Sequence, residues 1–198
     1  LSVDSTGQNS TEWPDNPIEL VASTTGTFMS GMASTTTLSG IQSGDFVVAI
    51  VSENGTDAIP LASGWTNIRS GSSISAQRTA YIFATGKSVS WSTTSSGTEN
   101  GSIILAAFRN VNATTPIDVT STSNTATSNS ITPASITTTT DNCMILTAMS
   151  SGGGDITVTD PTGYTRVAKS TGGGFFDLSP AVGVLTYKTQ TASGTESP

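Results

Sequence analysis

The sequence predicts an all-β protein, a single β-sandwich built from two related halves. Three observations carry that expectation. Apolar residues gather in short runs of strand length, no segment keeps a helical period, and the runs recur in a duplicated order.

In chain order, the first run is Phe46-Val47-Val48-Ala49-Ile50-Val51, the second Thr79-Ala80-Tyr81-Ile82-Phe83 and the third Ile103-Ile104-Leu105-Ala106-Ala107-Phe108. The fourth is Cys143-Met144-Ile145-Leu146-Thr147-Ala148 and the fifth Val182-Gly183-Val184-Leu185-Thr186-Tyr187. They are rich in β-branched or aromatic side chains and bounded by Gly, Asn, Asp or Ser, as strands are. Their apolar character is continuous rather than alternating, which is expected where strands are covered on both faces or lie in an assembly. Nowhere does an apolar stripe keep the i, i+3, i+4 spacing of an amphipathic helix. Thr fits the same picture, because its branched Cβ suits the pleat and its hydroxyl suits a wet face. With 36 Thr and 31 Ser among 198 residues, the composition therefore reads as ordered β structure and not as disorder.

The duplication sets the organisation. Gly44-Asp45-Phe46-Val47-Val48-Ala49-Ile50 is followed by Gly64-Trp65-Thr66-Asn67-Ile68 and then by Thr79–Phe83. The second copy runs Asp141-Asn142-Cys143-Met144-Ile145-Leu146-Thr147, Gly163-Tyr164-Thr165-Arg166-Val167 and Gly183–Tyr187, at offsets of 97, 99 and about 104. Pro60 and Pro161 precede the two turns. Such a period is too long for a solenoid unit. It fits two half-sandwiches fused head to tail about a pseudo-two-fold axis. Residues 1–17 are expected to be an extended arm and 18–198 the sandwich, with half one at 18–119, a crossover at 120–135 and half two at 136–198. The strong strand Ser102–Phe108 has no counterpart after Tyr187. The last strand is thus missing, and truncation is the favoured reading over completion by another chain, since an open edge beside a buried strand invites aggregation.

Composition removes several functions. There is no His, one Cys (Cys143), 14 acidic against 7 basic residues and a net charge of −7. Ser-His-Asp chemistry and His-based metal sites are excluded, as are disulfides within the chain. Without a Lys/Arg cluster there is no nucleic-acid footprint, and no apolar run is long enough for a membrane helix. No cofactor, metal or catalytic residue is expected.

The order G-D-F-V-V-A, P-x₃-G-W-T-x-I, A-Y-I-F-A-T-G, I-I-L-A-A-F-R-N-V and P-I-D, covering Gly44 to Asp118 with a weaker copy from Asn142 to Pro198, resembles a β-sandwich module of tailed-bacteriophage virion proteins. Those are head decoration (cement) proteins and tail or fibre proteins. The resemblance implies a jelly-roll-like sandwich on the virion surface, with no catalytic residues. The expected protein is a capsid decoration or cement protein on the outside of a phage head, a homo-oligomer such as a trimer or similar closed ring. Its partners are the major capsid protein and copies of itself. A tail-fibre or tail-tip module binding host glycan is the alternative, and a bacterial surface adhesin the second.

Contact residues follow from aromatics in polar surroundings. Trp13 would anchor the arm on a neighbour. Phe175 and Phe176, directly after Gly172-Gly173-Gly174, point to opposite faces of any strand, so one is a candidate partner contact. Gly152-Gly153-Gly154 and Gly172-Gly173-Gly174 are expected as loop tips. Trp65 and Tyr164, at matching turns, would serve the alternative as sugar-stacking platforms, although burial at the ends of the two halves is the favoured reading. Trp91 and Cys143 are expected in the core. Asp141, Asp155 and Asp160 lack the spacing of a calcium loop.

Overall fold

The computed structural model describes residues 1–3, 16–29, 31–72, 75–94, 99–125, 132–154, 156–173 and 180–198. Among these it contains strands and no helix. In chain order they are β1 (Ser2–Val3), β2 (Glu19–Phe28), β3 (Ala33–Ser39), β4 (Phe46–Glu53), β5 (Thr66–Ser72), β6 (Ala76–Phe83), β7 (Ser88–Thr94) and β8 (Gly101–Arg109). β9 (Ile136–Thr137), β10 (Cys143–Ser151), β11 (Thr165–Gly172), β12 (Ala181–Gln190) and β13 (Thr195–Glu196) follow.

All the pairings are antiparallel. They form a five-stranded sheet, β2-β8-β4-β6-β5, a four-stranded sheet, β1-β10-β12-β11, and the two-stranded pairs β3-β7 and β9-β13. The large sheets pack face to face, so the all-β sandwich is observed. Its layering is deeper than two half-sandwiches. One core cluster (Leu38, Val47, Ala49, Val51, Trp65, Trp91, Ile103, Leu105, Ala107) lies between β3-β7 and the five-stranded sheet. A second (Val3, Phe46, Val48, Ile50, Ile104, Ala106, Phe108, Met144, Leu146, Leu185) lies between the two large sheets. A third (Ile136, Ile145, Tyr164) lies under β9-β13.

This layering explains the continuous apolar runs. Successive side chains of a strand point to opposite faces, and β4 and β8 are covered on both. Val47, Ala49 and Val51 enter one core while Phe46, Val48 and Ile50 enter the other. Fully burying a side chain of Val, Ile, Leu or Phe type contributes about 1.5–3 kcal/mol, so these two strands supply much of the fold's hydrophobic stabilisation.

Corresponding strands occupy corresponding places. The order β8-β4-β6-β5 in one large sheet is matched by β1-β10-β12-β11 in the other, and β3-β7 by β9-β13. Gly64 and Gly163 have φ of 83° and 81°. The following N–H groups close the same turn, Trp65 to the Ala62 carbonyl at 3.2 Å and Tyr164 to the Pro161 carbonyl at 3.0 Å. Two expectations change here. The offset of 97 at the first strand equates Val47 with Met144, which face different cores. Gly44 and Asn142, both at positive φ before the strand, set the offset at 98. A slip of one residue exchanges the faces of a strand. The second change concerns the place of β8's counterpart, which β1 takes in part. Ser2 pairs with Ile145 and Val3 with Met144, and Leu146 N–H donates to the Leu1 carbonyl at 2.7 Å. Leu1–Val3 are thus part of the packed sheet and not of an extended arm.

The two large sheets form a wedge. At the wide end Phe46 stacks on Tyr81 with centroids 5.2 Å apart, and Phe108 meets Tyr187 edge-on at 6.3 Å. Buried Asp45 ties β4 to β8 there, accepting from Arg109 Nε at 2.9 Å and Nη2 at 3.0 Å. At the narrow end only small residues fit. A Cβ on Gly183 would meet Ser102 Oγ at 3.0 Å and Ser52 Oγ at 3.2 Å. Gly172, expected in a loop tip, is instead the buried last residue of β11, pressed against the Gly101 carbonyl.

The crossover lies against β5. Arg69 Nη1 donates to the Ser121 carbonyl at 3.2 Å and Nη2 bonds Ser123 Oγ. Asn124 Nδ2 donates to the Thr132 carbonyl at 3.0 Å, before β9 begins at Ile136.

Candidate functional surface

Trp65 and Tyr164 sit at the matching turns and close the two outer cores. Trp65 is 6 % exposed, meets Trp91 edge-on with centroids 5.0 Å apart, and donates from Nε1 to the Ser90 carbonyl at 3.2 Å. Tyr164 is 8 % exposed and lies with Ile136 and Ile145 beneath β9-β13. Lys188 Nζ stands 5.7 Å from its ring centroid and pairs with Glu196 Oε1 at 2.7 Å. Burial, then the Glu196 carboxylate, raises the Tyr164 phenol above its ordinary range. Sugar stacking needs an open aromatic face, and neither ring offers one. Their role is to fill the space under the small sheets. Trp91 is fully buried in the same core as Trp65, as expected. Trp13, Phe175 and Phe176 lie outside the described residues.

The small sheets present a different surface. β3 and β7 share the alternation of a one-sided sheet, with Thr36, Leu38, Trp91 and Thr93 buried beneath. Their exposed positions are Ala33, Thr35, Thr37, Ser39, Ser88, Ser90, Ser92 and Thr94, a face with no charged residue. Cross-strand hydroxyl pairs lace it together: Thr35 with Ser92 at 2.9 Å and Thr37 with Ser90 at 2.8 Å. On the far side of the stack, β9-β13 repeats the device with Thr137 and Thr195 at 2.9 Å, and Ser135 with Ser197 at 2.9 Å. Cross-strand Thr/Ser pairs of this kind each contribute a few tenths of a kcal/mol to about 1 kcal/mol. They also pre-order hydroxyls that can exchange partners with a docking surface.

Sequence reasoning placed the hydroxyls on wet faces in general but did not single out these residues. The signal was present as T-x-T at 35–37 and S-x-S-x-S at 88–92, each with period two. What the sequence leaves open is the pairing of β3 with β7, which joins segments about fifty residues apart.

Other surface features are few. Between β2 and β3, Met29 and Met32 are 42 % and 55 % exposed, and Gly31 has φ 64°. Asp118 receives the Thr139 N–H at 2.8 Å and the Thr140 hydroxyl at 3.1 Å. Burial opposes its charge, yet these hydrogen bonds outweigh it and hold the carboxyl below its ordinary range. Among the described residues no group of three or more His, Cys, Asp or Glu is placed to hold a metal ion. No described helix is long and apolar enough to cross a membrane.

In comparisons with known proteins, no family model, curated protein or solved structure matches the chain.

Proposed function

We propose that the chain is a non-enzymatic virion structural protein, a decoration or cement protein that binds the outer surface of a phage head beside copies of itself. The observation that carries this reading is the neutral, hydroxyl-paired face of β3-β7 (Thr35, Thr37, Ser90, Ser92), repeated in kind by β9-β13 on the opposite side of the layered body. A stack of sheets with uncharged hydroxyl faces at both ends can touch a shell on one side and a neighbour on the other. Many weak copies of such contacts add up through avidity. Short Ser and Thr side chains also lose less rotamer entropy on packing than Lys or Glu. The likeness of residues 44–118 to phage virion modules supports the same reading. In it the two halves are copies of one jelly-roll-like module about a pseudo-two-fold axis, and the matched strand orders favour that relation. The major capsid protein is the partner. The chain has no His, and no described group of carboxylates suggests acid–base work.

The test is co-sedimentation of the purified chain with heads that lack it. Binding should saturate at a fixed ratio of chain to capsid subunit. Thr35→Glu with Ser92→Glu, which charges the neutral face without touching the core, should weaken it at least tenfold. Absence of saturable binding up to about 10 μM, or binding indifferent to those changes, refutes the proposal.

A further inference from the structure

We propose that Asn54, and not Asn100, is a site of spontaneous deamidation, at which the chain converts to aspartyl and isoaspartyl forms and loosens the narrow end of the wedge. This goes beyond the virion reading and does not depend on it.

The sequence holds two Asn-Gly steps, Asn54-Gly55 after Glu53 and Asn100-Gly101 after Glu99, followed by Thr56 and Ser102. A Gly after Asn has no Cβ to hinder its backbone nitrogen as it approaches the Asn amide carbon. Locally the two steps are near copies, and the sequence alone gives them similar rates.

The fold places them side by side and treats them differently. Asn54 N–H donates to the Asn100 carbonyl at 3.0 Å, one rung beyond the pair of Glu53 with Gly101. That bond grips the Asn100–Gly101 peptide by its oxygen. In a trans peptide the N–H points the opposite way, so the Gly101 N–H faces β2, where Gly101 pairs with Phe28. Gly101 is buried, and the Phe28 ring lies so close to it that no Cβ would fit. Cyclisation at Asn100 must turn this peptide and strip its N–H, which opens the ends of β2, β4 and β8 together.

Asn54 is held only on its near side. The shared bond uses its own N–H and leaves the Asn54–Gly55 peptide outside the ladder. That peptide enters a bend over residues 54–57, with Gly55 half-buried and Thr56, Asp57 and Ala58 exposed. Turning it disturbs no paired residue of β4, whose pairs end at Glu53.

The step needs no co-reactant but water. The Gly55 nitrogen attacks Asn54 Cγ and gives its proton to solvent. The N–Cγ bond forms, the Cγ–Nδ2 bond breaks, and Nδ2 leaves as ammonia with a proton from solvent. Water then opens the five-membered imide at either carbonyl, to aspartate or to isoaspartate, whose main chain runs through Cγ. Nothing is oxidised or reduced. Either product adds a negative charge beside Gly55, on which the Glu99 side chain packs. Asn54 Oδ1 also lies against Gly152, 2.5 Å from where a Cβ would stand, and so bridges the two large sheets. The isoaspartyl form lengthens the main chain at that point and withdraws the contact.

The experiment is tryptic peptide mapping by mass spectrometry after incubation of the folded chain at mildly alkaline pH. Arg69, Arg78 and Lys87 put the two sites in different peptides. Asn54 should convert at least tenfold faster than Asn100, with isoaspartate among its products. In urea, where no local opening has to precede the chemistry, the two rates should come within about twofold of each other. The Tm of the wild type should fall as conversion proceeds, and that of Asn54→Gln, which keeps an amide but cyclises slowly, should hold. Equal rates in the folded chain overturn the proposal, as does a folded Asn54 that stays intact while the unfolded chain converts. A rate ratio that persists in urea, or a converted chain with unchanged Tm, overturns it too.

Discussion

Replacing Gly172 with Ala tests the closest approach between the two large sheets. A Cβ at Gly172 would lie 2.9 Å from the Ser102 backbone N and closer still to the Gly101 carbonyl. Ordinary contact for a Cβ begins near 3.4 Å, so β11 and β8 must separate by at least half an ångström. Both obstacles are backbone, and no rotamer change can relieve them. Overpacking of this kind costs about 1–3 kcal/mol, occasionally more, and a backbone clash belongs at the upper end. At roughly 2–4 °C per kcal/mol for a chain of this size, Tm should fall by about 6–12 °C. Gly71→Ala, on the edge strand β5 where a Cβ meets nothing within 4 Å, is the control and should change stability by less than about 0.5 kcal/mol. Urea and thermal unfolding followed by circular dichroism read both. If Gly172→Ala is as stable as Gly71→Ala, the narrow end of the wedge is wrongly described.

A further outcome follows from the same packing. Trp91→Ala removes the largest fully buried side chain and should cost about 3–5 kcal/mol, measured by urea unfolding; a loss under 1 kcal/mol would contradict a core beneath β3-β7.

Much of this fold was legible because burial on both faces leaves a plain trace. The runs at Phe46–Val51 and Ile103–Phe108 are apolar at every position, and only a strand between two layers needs that. The turn glycines Gly64 and Gly163 were legible because only a residue tolerant of positive φ fits there. What lay hidden was long-range. Nothing local in Leu1–Val3 says that it will sit beside β10, since two paired residues carry no periodicity. Pairing of β3 with β7 depends on the five-stranded sheet that both must cover. The offset error at the first strand arose because Gly44-Asp45 and Asp141-Asn142 each offer two turn-forming residues, and only the backbone conformation shows which of them correspond. Trp65 and Tyr164 carried an ambiguity inherent in aromatics after a turn, which either cap a core or face solvent. The neighbouring small sheets, invisible locally, resolve it towards burial.

The most direct test of the proposed role is imaging of purified virions with and without this chain, paired with heat or osmotic challenge of the heads. The account predicts ordered density of the chain at regular positions on the outer capsid surface, and heads that rupture earlier when it is absent. Virions whose capsid surface density and rupture threshold are unchanged by its loss would contradict it.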